Sequence, residues 1–127
     1  MPGTILVVDD NDMNRKLLID VLTKDGYTVL PARDGAEGVA LAIAHTPDLI
    51  LMDIQMPVMN GLEAGKALRS DPRTKDIRLL ALTSYNVLEE KDDFFRTGFD
   101  GYLDKPLNLR KARAIIAGCF SGGADHE

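Results

Sequence analysis

The sequence contains one cysteine, Cys119, so no disulfide can close within the chain. Basic residues are in the minority: 15 Lys and Arg stand against 20 Asp and Glu, a formal charge of −5. That balance excludes the basic face that nonspecific nucleic-acid binding needs, and the one that an anionic membrane surface attracts. No apolar run approaches the roughly 20 residues that span a bilayer. Met1-Pro2-Gly3-Thr4 carries no basic residue and runs directly into an apolar strand, so no signal peptide is expected. Nucleotide binding lacks its glycine-rich phosphate loop, since Asp34-Gly35 and Asn60-Gly61 are isolated pairs. There is no internal repeat. These absences lead to the expectation of a cytoplasmic protein with no nucleic-acid or membrane partner. Cys119 reads as a small core residue on the last helix. His45 and His126 fall at a helix end and in the tail, with no partner for either.

What is present suits one α/β domain. The chain has 127 residues, 45% of them apolar, which is material for a single core. Five strand–helix alternations are legible. Ile5-Leu6-Val7-Val8 is a continuous apolar run, as a strand covered on both faces requires. Asn11 or Asp12 can cap a helix carrying Leu17, Leu18, Val21 and Leu22, which Gly26 closes. Tyr27-Thr28-Val29-Leu30 predicts the second strand. Asp34-Gly35 reads as a turn before an alanine-rich helix that ends near His45. Leu49-Ile50-Leu51-Met52, the most hydrophobic segment, predicts a central third strand. A helix over 61–70 follows, weakened by Gly65, then a turn at Asp71-Pro72-Arg73. Leu79-Leu80-Ala81-Leu82 is the fourth strand and ends at Thr83-Ser84. A helix over 86–97, a short strand over 100–104 and a final helix capped by Asn108 complete the pattern. Residues 1–120 are expected to form one domain and 121–127 a loose tail. Short connections of this kind imply right-handed crossovers and helices on both faces. The expected fold is a flavodoxin-like five-stranded parallel sheet of order 2-1-3-4-5.

That order has a chemical consequence. Val7-Val8-Asp9-Asp10 and Leu51-Met52-Asp53 are apolar runs that stop abruptly at carboxylates, and Leu103-Asp104-Lys105-Pro106 ends at a lysine. As neighbouring parallel strands they would converge at the carboxyl edge of the sheet, where ligands of open α/β sheets bind. Three like charges brought together are costly unless a cation or proton offsets them. Mg²⁺, a hard cation with oxygen ligands, answers that need. A carboxylate left facing outward can then act as a nucleophile towards phosphorus.

These residues resemble the receiver domain of bacterial two-component response regulators. The resemblance rests on Val8-Asp9-Asp10-Asn11, on 48–57 with Asp53-Ile54-Gln55-Met56-Pro57 at its end, on Asn60-Gly61, on Leu82-Thr83-Ser84 and on Tyr102-Leu103-Asp104-Lys105-Pro106. It covers about 4–120. The Asn11 and Asn14 pair is similar to that of DivK-like single-domain regulators and of receivers in hybrid histidine kinases. Ser84-Tyr85-Asn86-Val87 departs from the usual small-aromatic-small stretch of that subgroup.

The resemblance implies a phosphorylation switch rather than a conventional enzyme, one that catalyses only its own phosphorylation and slow hydrolysis. Asp53 would accept a phosphoryl group from a histidine kinase or a phosphotransfer protein. Asp10 and Asp53 would contact Mg²⁺ directly, Asp9 through water, and Gln55 through its backbone carbonyl. Lys105 would pair with the phosphoryl group. Pro106 would follow a cis bond, although trans is the default from sequence alone. Thr83 would donate its hydroxyl to the phosphoryl group, and Tyr102 would turn from exposed to buried; without the switch, Tyr102 reads as a half-buried strand aromatic. Tyr85 would flank the path of attacking water. Output would run through the fourth predicted helix, fifth strand and fifth helix, towards a downstream protein target. Glu89, Glu90, Asp92 and Asp93 oppose Arg110, Lys111 and Arg113 on that face, which allows either a monomer or a phosphorylation-dependent dimer. A phosphatase with a strand-end aspartate nucleophile would need a second acid where Gln55 stands. A receiver without chemistry would have lost the acidic pair, the acceptor or the lysine, and all are present.

Overall fold

The computed structural model describes residues 3–54, 61–83, 99–104 and 108–120; the side chains at 61, 62, 83 and 104 lie outside this description. The predicted helix over 86–97 and the tail over 121–127 lie outside the described residues. Five parallel strands form one sheet: β1 (Thr4–Val8), β2 (Thr28–Ala32), β3 (Leu49–Asp53), β4 (Arg78–Thr83) and β5 (Gly101–Asp104). Their order is β2-β1-β3-β4-β5, as expected from the sequence. The described helices are α1 (Asp12–Lys24), α2 (Gly35–His45), α3 (Gly61–Ser70) and the C-terminal helix α4 (Leu109–Phe120).

The two faces of the sheet sort the apolar residues by the two-residue period of a strand. Leu6, Val8, Ile50, Met52, Leu79 and Ala81 pack with Ala42 of α2, Ala64 and Leu68 of α3, and Phe99. Ile5, Val7, Leu49, Leu51, Leu80 and Leu82 pack with Leu18 and Leu22 of α1 and with Ala112 and Ile116 of α4. Every residue of β3 is buried, in keeping with its central place. Cys119 is half-buried against the second cluster, and burial pushes its thiol above the ordinary value. It borders the core rather than lying inside it as the sequence suggests. Among the described residues no helix is long and apolar enough to cross a membrane.

Several local expectations change. Leu17 does not join the core: it is 43% exposed, while Leu18 and Leu22 turn inward. Of the two caps the sequence offered for α1, the structure uses Asn11, its side chain accepting the Asn14 N–H at 2.9 Å. Asp34 is the cap of α2 rather than part of a free turn, accepting the Glu37 N–H at 2.9 Å. Glu37 reaches back to the Arg33 N–H, a variant of the capping box. Strand β2 runs on through Pro31. The Thr28 N–H bonds Gly3 and the Ala32 carbonyl accepts from Asp9, so even-numbered residues face β1. By the alternation of a parallel ladder, Pro31 points its missing N–H away from the neighbour, which an edge strand tolerates.

Two pairs of elements are tied by charge. Arg113 on α4 grips both carboxylate oxygens of Asp25, at 2.8 and 2.6 Å, beside the close of α1. Asp25 is consequently held below its usual carboxylate value. Arg69 at the end of α3 donates to the carbonyls of Lys75 and Ile77 and to Asp100, whose same oxygen accepts the Leu79 N–H. That network fixes the entries to β4 and β5. Gly26 ends α1 with a φ of 99°, a backbone region that glycine enters without a Cβ clash.

Gly38 marks the closest approach of α2 to the sheet, since a Cβ there would lie 2.8 Å from Val8 Cγ2. Gly38→Ala should therefore destabilise by about 1–2 kcal/mol in urea unfolding, overpacking outweighing the ~1 kcal/mol gained in helix propensity. The Asp25 pair predicts a pH signature. Its folded value is depressed, so its contribution is present above about 3.8, the ordinary aspartate range, and is lost as pH falls through the lower folded value. Asp25→Asn should lower the urea midpoint at neutral pH, and the difference from the unaltered protein should shrink to nothing at strongly acidic pH.

Candidate functional site

The register of the two central strands creates the site. Val8 on β1 pairs with Met52 on β3, so the next residues, Asp9 and Asp53, emerge side by side at the carboxyl edge. Asp10 follows in the turn towards α1. Carboxylate oxygens of Asp9, Asp10 and Asp53 all lie within 4.8 Å of one another. Asp9 and Asp53 are 0% and 1% exposed, whereas Asp10 faces solvent. Two buried carboxylates and one exposed carboxylate thus meet at this edge, with Asp10 on the solvent side.

The turn that carries the pair is held by local bonds. The Asp9 N–H donates to the Ala32 carbonyl at 3.1 Å, continuing the β1–β2 ladder. Asp9 Oδ1 accepts the Asn11 N–H at 2.9 Å, an Asx-type turn that reverses the chain. Asn11 then caps α1, so sheet, turn and helix start are bonded in sequence. Arg15, one turn into α1, donates from Nη1 to the Asp9 carbonyl at 2.8 Å and from Nη2 to Asp12. Beside Asp53, the Ile54 N–H donates to the Leu82 carbonyl at 3.3 Å, extending the β3–β4 contact past the strand end.

Among the described residues the donor set is entirely carboxylate oxygen. That chemistry fits a hard divalent cation and gives no nitrogen or sulfur ligand for a softer one. Its burial also favours an ion, since neighbouring charges in a low-dielectric site repel strongly.

The other sequence-predicted residues divide into two groups. Thr83 closes β4 in register with Asp104 on β5, placing both at the same edge as Asp53, which pairs with Leu82. Tyr102 on β5 is half-buried, packed against the cluster formed with α2 and α3. Gln55, Tyr85, Lys105 and Pro106 lie outside the described residues. Of the basic residues assigned to the output face, Arg113 is engaged with Asp25, leaving Arg110 and Lys111 exposed on α4. Arg15 has no place in the sequence reading. Its one signal there is an arginine three positions after Asp12, the spacing of a helical ion pair.

Comparison with known proteins agrees with this geometry. Residues 5–117 match the family model of the response regulator receiver domain. The polar-differentiation response regulator DivK of Brucella anthropi is 37% identical over 109 residues, covering 86% of this chain and 89% of that protein. The chemotaxis response regulator CheY4 of Vibrio cholerae superposes with a TM-score of 0.88 at 33% identity, over 94% of this chain and 99% of its own. The receiver domain of the sensor histidine kinase PA1611 from Pseudomonas aeruginosa, determined with a magnesium ion coordinated in its active site cleft, superposes with a TM-score of 0.83 at 28% identity, over 91% and 95%. With the parallel sheet, the acidic edge and a family match over nearly the whole chain in agreement, this protein belongs to the response regulator receiver domain family.

Proposed function

We propose that the protein is a signalling switch controlled by phosphorylation of Asp53, with Mg²⁺ as cofactor. The observation that carries this reading is the meeting of Asp9, Asp10 and Asp53 at the ends of β1 and β3. The magnesium ion in the P. aeruginosa receiver supports the choice of metal. The donor is a phosphohistidine on a histidine kinase or phosphotransfer protein. An Asp53 carboxylate oxygen attacks the phosphorus, the P–N bond breaks, and its electron pair returns to the imidazole. The product is an acyl phosphate on Asp53, which water later hydrolyses.

Asp9, Asp10 and Asp53, with the Gln55 carbonyl, would hold the metal. When bound, Mg²⁺ draws negative charge from the transferring group and favours in-line transfer. Lys105 pairs with a phosphoryl oxygen. Thr83, at the same edge, donates its hydroxyl to another, and the space this changes lets Tyr102 turn further into the core. This is a two-state element biased by one new charged group. Pro106 belongs to the same proposed site, as the residue that follows Lys105. Residues 1–120 act as the receiver unit, 121–127 as a tail, and no diffusing metabolite is transformed. Output would pass to a downstream protein, or to a second copy, through residues 86–97, β5 and α4.

Incubation with acetyl phosphate and Mg²⁺ should add one phosphoryl group, read by intact mass. Asp53→Asn and metal chelation should each abolish the addition. Absence of the adduct in the unaltered protein, with acetyl phosphate and with a phosphorylated histidine donor alike, would refute the reading. A second expectation concerns Tyr85, a bulky side chain two positions after Thr83. Shielding the acyl phosphate from water predicts that Tyr85→Ala shortens its half-life severalfold, measured by loss of the phosphorylated mass over time. An unchanged half-life removes that role.

A further inference from the structure

We infer that Arg15 is a positioning residue for the metal-holding carboxylates, fixing the main chain at Asp9 and thereby the spacing between the acidic pair and Asp53. The inference rests on the reading of these three carboxylates as a Mg²⁺ site. β2 ends at Ala32, whose carbonyl takes the Asp9 N–H, and the ladder stops there. The Asp9 carbonyl points beyond the ladder and is taken by Arg15 Nη1 at 2.8 Å. With Oδ1 accepting from Asn11, residue 9 is gripped through its N–H, its carbonyl and its side chain.

Arg15 is itself immobilised. Its N–H makes the first helical bond to the Asn11 carbonyl at 3.0 Å, and its second branch pairs with Asp12. The Arg15 side chain is only 14% exposed although Asp12 is 85% exposed, so the guanidinium lies beneath the first turn of α1. A planar fork can hold a carbonyl and a carboxylate at once, with little freedom left to lose. Lysine, a point charge on a flexible stem, cannot reproduce that geometry.

A cation near a metal site could equally weaken metal binding by repulsion. Arg15→Gln also lifts that repulsion, so a loss of affinity in this variant reports lost geometry outweighing lost repulsion. Groups that orient metal ligands typically alter affinity by about 10–100-fold when removed. Loss of Arg15 therefore weakens Mg²⁺ binding.

The test is Mg²⁺ titration by calorimetry on the full chain, comparing the unaltered protein, Arg15→Gln, Arg15→Lys and Asp53→Asn. A urea midpoint without metal confirms that each variant is folded. Arg15→Gln should bind Mg²⁺ about tenfold more weakly. Arg15→Lys should also lose affinity, because charge without the fork does not hold Asp9. Affinity in Arg15→Gln equal to or tighter than in the unaltered protein overturns the inference, and so does full affinity in Arg15→Lys. Should Arg15→Gln not fold, the Arg15→Lys titration decides alone. The two levels separate cleanly: an unaltered protein that takes up no Mg²⁺, or Asp53→Asn that binds it equally well, refutes the metal site itself.

Discussion

Two carboxylates with almost no solvent exposure, Asp9 and Asp53, sit side by side at the ends of the two central strands, with Asp10 completing the cluster. Taking an ion out of water costs several kcal/mol even after the protein relaxes. Like charges at this separation add repulsion to that cost. A fold that places them together must therefore hold the strand ends rigidly, or the carboxylates would swing apart into solvent. Much of the architecture near the edge can be understood as the means of doing so.

The means are layered. Beneath the cluster, β1 and β3 are buried on both faces, and alternate residues feed two cores separated by the sheet. Each large aliphatic side chain buried there contributes roughly 1.5–3 kcal/mol, so a single core layer can offset one buried charge. Around the cluster, the turn from β1 to α1 is bonded at successive residues: Asp9 to Ala32, Asn11 to Asp9, Asn14 to Asn11 and Arg15 back to Asp9. At the opposite edge of the sheet the Arg69–Asp100 network sets the entries of β4 and β5. Thr83 and Asp104 leave the sheet in register as a result. Position at the functional edge is decided partly by bonds at the far one.

Charges elsewhere on the molecule behave differently. Arg73 folds back on Asp71 through both carboxylate oxygens and its own N–H, which brings that carboxyl down to about 2. Arg73 is solvent-facing and Asp71 partly covered, and surface pairs of this kind contribute little to stability. Burial pushes Tyr27 up, and its ring packs tilted against Phe120 at a centroid distance of 5.0 Å beside the Asp25–Arg113 bridge. These contacts seal the C-terminal helix onto α1 and carry no chemistry. The distinction between paired surface charge and converging buried charge separates scaffold from site.

The sequence by itself determined the order of five strands, the termination of two of them at carboxylates and the family resemblance. Those features are written in local hydrophobic period and in residues adjacent along the chain. A parallel α/β topology then leaves little choice about where the strand ends meet. Local composition did not determine which polar side chain won each contest for a backbone partner. Asn11 rather than Asp12 capping α1, Asp34 capping α2, and Pro31 lying within an edge strand depend on backbone direction at single residues. Leu17 turning outward depends on how α1 is rotated against the sheet, because a helical stripe is wider than the face it buries. Long-range pairings were the least legible. Arg113 meets Asp25 across 88 positions of sequence, and Arg69 meets Asp100 across 31. Arg15 reaches the Asp9 carbonyl only once β2 has ended and α1 has docked. Hydrophobic pattern is a property of a segment, whereas a guanidinium's partner is a property of the assembled surface, and only the tertiary structure decides it.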